Sequence, residues 1–159
     1  MNAHSIGRLQ EVYSGLRNAV FQMNRMFEAE FQSDTLEVVQ GLRSWNEQAK
    51  LYAQGRTAPG PIATYAPPGY SWHSLGCAVD LCPASLLAKP GWEPGSPLWP
   101  RMVAMAQACG LYPGACFHTH PDVPHFQMTG KYPASPTDEV RQIFTSGGTV
   151  QAVWDEAFK

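Results

Sequence analysis

Four of the five histidines, His73, His118, His120 and His125, fall in two short stretches together with Asp80 and Asp122. The stretches are SWHSLGCAVD, from Ser71 to Asp80, and HTHPDVPHFQM, from His118 to Met128. Imidazoles and carboxylates are the donors a catalytic zinc uses: three from the protein, with a fourth position left for water. Such a centre brings the pKa of its water to about 7, and a separate carboxylate must then take up the proton. A hydrolase of this kind needs three ligands and one free carboxylate. His73 and Asp80, seven positions apart, read by themselves as an ordinary hydrogen-bonded pair. Asp122, three residues before His125, adds a carboxylate that can sit beside a metal without binding it. Asp122 also suits the start of a turn ahead of Pro124, and a residue can do both. His125, followed by Phe126, is compatible with a satisfied core histidine. His118 and His120 stay open among exposed loop residues, a replacement ligand and contacts to substrate. His4 lies near a terminus and carries no information.

The elements that must position these groups are legible from periodicity. Apolar residues at three- and four-residue steps from Ile6 to Phe31 predict one amphipathic helix over 5–31. Leu36–Leu42 (LEVVQGL) is rich in strand formers. Ser44 with Glu47 three residues on is a capping box that starts a helix running through Gln54, and Gly55 supplies its stop. Residues 57–70 read as loop, with a short strand at Ile62–Tyr65. Ala78–Leu81 reads as a strand with Ala78 and Asp80 on one face, Val79 and Leu81 on the other. Leu98–Cys109 reads as a helix ended by Gly110. Leu111–Phe117 and His125–Met128 read as strands, with His125 and Gln127 sharing one face. Thr137–Phe144 and Thr149–Phe158 close the chain as helices. Helices packed on a small, mainly antiparallel sheet make an α+β domain, expected to span 1–159 as a single domain.

In this order the motifs resemble the LAS zinc peptidases, which are D-Ala-D-Ala carboxypeptidases and dipeptidases and L-alanyl-D-glutamate endopeptidases of peptidoglycan. Ser71-x-His73 through Asp80 followed by Asp122-Val123-Pro124-His125 is similar to the family's S-x-H-x6-D and [DE]-x-x-H. The stretch GLRSWNEQAKLYAQGRTAPG (Gly41–Gly60) and the C-terminal GGTVQAVWDEAF resemble the phage endolysin branch. The resemblance covers residues 36–158. It implies the LAS/hedgehog-like fold, one zinc ion held by His73, Asp80 and His125, and Asp122 as the catalytic carboxylate. It implies Arg43 as the cation that stabilises the substrate carbonyl as it becomes an oxyanion. It places Ser71, Gln48, His118 and His120 among candidate substrate contacts, with a helix-surface role equally open for Gln48. Many members carry Glu at the position of Asp122, and Cys77 stands where a non-thiol residue is more usual.

Composition bounds the rest. The chain has 159 residues, 44% hydrophobic and 15% charged, enough for one core. A net charge of −2 gives no basic footprint, which argues against nucleic acid as a partner. No stretch is long or apolar enough to span a membrane. The four cysteines form no C-x-x-C pair, and small, partly buried thiols are favoured over Cys109–Cys116 or Cys77–Cys82 disulfides. The N-terminal stretch has no basic region followed by an apolar run, so no secretory signal is expected. The expectation is a monomeric zinc peptidase, one catalytic domain over 1–159 with no separate cell-wall-binding domain, that cuts bacterial peptidoglycan stem peptides at L-alanyl–D-glutamate. It would be made in the cytoplasm and released by a holin or by lysis. The alternatives are a D-Ala-D-Ala carboxypeptidase or dipeptidase, or a non-catalytic zinc-binding module on the same scaffold.

Overall fold

A computed structural model describes residues 1–159. Six α-helices and four short strands follow in the order α1 (Ala3–Gln10), α2 (Ser14–Glu30), β1 (Leu36–Gln40), α3 (Trp45–Ala53), β2 (Ala78–Pro83), α4 (Leu98–Ala108), β3 (Tyr112–Pro113), β4 (His125–Gln127), α5 (Asp138–Gly147) and α6 (Val150–Ala157). The strands form one antiparallel sheet in the order β1-β2-β4-β3. No helix is long and apolar enough to cross a membrane.

Strand alternation sorts the sheet into two faces. Val79, Leu81 and Phe126 point to one side and meet Leu9, Leu16, Val20, Met23 and Phe27 from α1 and α2, and Trp99, Met102 and Ala106 from α4. Fully burying one such side chain contributes about 1.5–3 kcal/mol, so this face anchors the sheet. The opposite face carries Asp80, His125 and Gln127. At the Ala78 end of that face a second apolar cluster adds Trp72, Leu75, Cys77 and Tyr132 to Val140 of α5 and Val153 and Ala157 of α6. Cys77 belongs to this cluster, and burial pushes its thiol up to about 12. All four cysteines are free thiols.

Four expectations are corrected. The helix predicted over 5–31 is two helices, broken at Glu11–Tyr13. Tyr13 leaves helical geometry at φ −47, ψ 134. Its amide donates to Gly76 O at 2.8 Å and its ring stacks on Phe158 with centroids 3.9 Å apart. The periodicity runs through the break because Leu9, Val12 and Leu16 all bury on the same core. The first strand ends at Gln40 rather than Leu42; at Gly41 the chain runs so close to α1 that a Cβ would lie 3.1 Å from the Arg8 carbonyl oxygen. Ile62–Tyr65 forms no strand; Arg56 donates to the Thr64 carbonyl, and Gln48 donates to the Thr64 hydroxyl and, just beyond the segment, to Ala66 O. Only Tyr112–Pro113 of the strand expected over 111–117 pairs, and Gly114–Cys116 coils into a 3-10 turn. Pro113 lacks an N–H for a ladder, which restricts it to an edge.

Candidate active site

The polar face of the sheet is the floor of a cleft of about 990 Å³. Asp80 and His125 sit directly opposite each other in the β2–β4 register, so antiparallel pairing alone brings a carboxylate beside an imidazole. His73 arrives from the 3-10 turn Trp72–Leu75 just before β2. Gly76 closes that turn at φ +66, and a Cβ there would lie 2.9 Å from the Trp154 ring. Glycine is therefore required twice over, by conformation and by space.

The hydrogen bonds fix which nitrogen of each imidazole is free. His73 Nδ1 lies 2.9 Å from Gly41 O, which can only accept, so Nδ1 carries the proton and Nε2 the lone pair. Gln127 donates its amide nitrogen to Ala134 O at 2.9 Å, which turns its Oε1 toward His125. His125 Nε2 donates to that oxygen at 2.9 Å, leaving Nδ1 with the lone pair. The two free nitrogens then face each other at 3.1 Å, and Asp80 Oδ1 lies 3.1 Å from the first and 3.4 Å from the second. Three acceptors this close repel unless a cation or proton lies among them. Donors of a tetrahedral centre with bonds of about 2.0–2.1 Å stand about 3.3–3.4 Å apart. The residues fit a metal ion, and His73, Asp80 and His125 are the group of side chains that could hold one.

Electrostatics around the cluster agree. Burial alone raises the Asp80 pKa. When protons on His73 and His125 stand in for a cation, the charges and hydrogen bonds of the two rings outweigh it and hold the carboxyl well below the usual range. Burial opposes a charged His125, but the hydrogen bond and charge of Asp80 raise its pKa on balance.

Arg43 stands at the end of the β1 side, its backbone amide donating to His73 O at 3.1 Å. The Ser44–Glu47 capping box starts α3 immediately after it, an interaction worth about 1 kcal/mol that fixes the direction of the chain here. The guanidinium reaches Asp80 Oδ2 at 3.5 Å and donates to Gln48 Oε1 at 3.0 Å. Burial lowers its pKa, against the pull of Asp80, Glu47 and Asp122. Asp122 lines the cleft at an exposed position outside the ligand cluster. Crowding by the protein and then the charge of Asp80 raise its pKa, while His125, His73 and Arg43 lower it. Its place is set by backbone: its amide donates to Gly114 O at 3.0 Å, and its own carbonyl accepts from the His125 amide at 3.2 Å. A Cβ on Gly114 would lie 2.5 Å from Asp122 O and 2.8 Å from His125 Cβ.

Ser71, His118 and His120 also line the cleft. His118 and His120 are exposed and stand outside the ligand group. Gln48 is completely buried. Its amide is used on both sides, accepting from Arg43 and donating to Ala66 O at 2.7 Å, so it lies behind the cleft wall. Gln127, Gly114 and the Gly41 carbonyl are positioning groups that sequence reasoning did not single out. For Gln127 the signal was present, since strand alternation put it on the face of His125.

Replacing Gln127 with Leu is expected to weaken metal-ion binding at this cluster about 10- to 100-fold, the usual effect of removing a ligand's hydrogen-bond partner. Competition with a chromophoric chelator measures it. Unchanged affinity would mean that Gln127 does not set the His125 tautomer.

A family profile described as D-alanyl-D-alanine carboxypeptidase matches residues 65–128, which contain the whole candidate ligand set. The peptidoglycan L-alanyl-D-glutamate endopeptidase CwlK of Bacillus subtilis (strain 168) is 34% identical over 139 residues, covering 79% of this chain and 81% of the relative. The fold is similar to that of the Serratia marcescens L-Ala D-Glu endopeptidase ChiX. That match has a TM-score of 0.52 at 21% identity and covers 81% of this chain and 89% of the other. At 34% identity to a peptidase over about four-fifths of both lengths, the chain belongs to the M15 family of peptidases.

Proposed function

We propose that the protein is a zinc-dependent endopeptidase of peptidoglycan stem peptides, cutting the L-alanyl–D-glutamate bond. The observation that carries the chemistry is the triplet of facing lone pairs on His73 Nε2, Asp80 Oδ1 and His125 Nδ1, with Asp122 and Arg43 beside it. The choice of bond draws support from the names of the two relatives, both L-alanyl-D-glutamate endopeptidases. The D-Ala-D-Ala bond is the second reading, supported by the description of the family profile.

His73, Asp80 and His125 would hold the zinc ion, which would supply Lewis acidity for the scissile carbonyl and lower the pKa of a water molecule toward neutrality. Asp122 accepts the proton of the attacking water and passes it to the leaving amine. Arg43 holds a fixed positive charge where the carbonyl oxygen becomes an oxyanion. Gly41 and Gln127 keep the two imidazoles in the ligating tautomer. The cleft volume lies at the upper end of small-molecule sites, which suits an extended peptide segment. Ser71 and His118 on its walls are placed to contact that segment. The described residues act on this reading as one monomeric catalytic unit at the cell wall.

The test is digestion of purified peptidoglycan followed by mass spectrometry of the products. A new L-alanine carboxyl end and a new D-glutamate amino end are expected. Release of terminal D-alanine instead would establish the second reading.

A further inference from the structure

Two exposed rings in the cleft have no part in the chemistry above. Tyr65 and His120 stack face to face, with centroids 3.5 Å apart and planes 7° from parallel. Tyr65 is 54% exposed. His120 has a left-handed backbone, φ +54, a conformation unfavourable for any residue with a side chain and associated with clamps and switch regions. The strain is held where it brings the imidazole onto the tyrosine.

The rings come from opposite banks. Tyr65 lies in the segment that follows β1, one edge of the sheet, and α3. His120 lies between β3, the other edge, and β4. Both line the cleft whose floor holds His73, Asp80 and His125. Their contact therefore joins the two walls across it. The tyrosine bank is fixed from behind: the buried Gln48 amide donates to Ala66 O at 2.7 Å and to Thr64 Oγ1 at 3.4 Å, and Arg56 donates to Thr64 O at 3.1 Å. The histidine bank is an exposed run, His118–Asp122. The joint is thus one stacked pair between a held wall and a strained, open one.

We propose that Tyr65 and His120 form a strap across the substrate cleft that discriminates between peptides by their ends. A stem peptide with a free end passes beneath the closed strap. One bonded at both ends, to glycan and to a cross-link, enters only when the stack parts. The pair is a specificity determinant for the peptidoglycan reading above, on which it rests. An aromatic stack of this kind shifts an equilibrium by about 2- to 12-fold, enough to bias access without blocking it.

The quantity that tests this is the ratio of kcat/KM on intact cross-linked sacculi to kcat/KM on a soluble, uncross-linked stem peptide. Tyr65→Ala removes one ring. His120→Gly removes the other and accepts the left-handed backbone without strain. Each is expected to raise the ratio about three- to tenfold, and the double variant no further. A ratio that stays constant while both rates fall together would make the rings simple substrate contacts and overturn the strap. A second measurement does not depend on activity. The His120 ring protons should resonate upfield in the wild type, under the ring current of Tyr65, and return downfield in Tyr65→Ala. No movement of those signals would show that the stack does not exist in solution. If the wild type cleaves neither substrate while the ring-current shift is present, the peptidoglycan reading has failed, and the discriminating role falls with it.

Discussion

Asp122→Ala is expected to lower kcat on stem peptides by about 10²- to 10⁴-fold, the range associated with losing a general acid–base, and to leave zinc binding intact. The separation follows from geometry. Asp122 stands outside the ligand cluster, and the bonds that place it and His125 run through its backbone amide and carbonyl, which the substitution keeps. Amine release gives the rate, and chelator competition gives the affinity. Loss of both would identify Asp122 as a ligand, contrary to the structure. Retention of both would remove it from the mechanism. Asp122→Glu restores the carboxylate on a longer arm and is expected to recover part of the rate. The protein raises the carboxyl pKa through crowding and Asp80, and a bound cation acts in the opposite direction. The rate measurement therefore tests the residue's role more directly than a pH profile.

Much of the fold could be read from the chain because local and global signals agree there. The capping box at Ser44–Glu47, the alternation Ala78–Leu81 and the glycine stop after Ala108 each express a short-range rule, and each element formed where its rule placed it. The failures occurred where tertiary contacts decide. Periodicity cannot see the Tyr13 amide leaving its helix to bond Gly76. Residues Ile62–Tyr65 have the composition of a strand, but the side chains of Arg56 and Gln48 hold Thr64 and the adjoining Ala66 carbonyl instead.

The site divides in the same way. His73, Asp80, His125, Asp122 and Arg43 were legible because their residue types do chemistry and their spacing follows a family pattern. The groups that orient them were not. A backbone carbonyl at Gly41 has no side chain to notice. Gly114 matters for the atoms it lacks, which only the approach of Asp122 and His125 reveals. Gln48 sits on a helix whose apolar stripe is weak, and from sequence a substrate contact and a helix-surface role were equally open, while its buried role was not foreseen. Its burial against Arg43 and Ala66 shows a side chain committed entirely to the protein.

Arg43→Met is expected to lower kcat about 10²- to 10³-fold with little change in KM, because a charge aimed at a developing oxyanion acts in the transition state. The case rests on what the arginine costs. Its guanidinium is largely buried, its Nε has no hydrogen-bond partner, and burial pulls its pKa down. A buried cation so incompletely satisfied gives little to stability. Its position, 3.5 Å from Asp80 Oδ2 and held by Gln48 Oε1 at 3.0 Å, instead fixes a charge at the wall of the cleft. Arg43→Lys keeps the charge but loses the planar fork that meets both partners, and is expected to fall between Met and wild type. Steady-state kinetics with zinc occupancy verified separate the alternatives. A raised KM at constant kcat would mean that Arg43 binds a carboxylate of the resting substrate. A loss of zinc that tracks the loss of rate would mean that it works only by holding Asp80 in place.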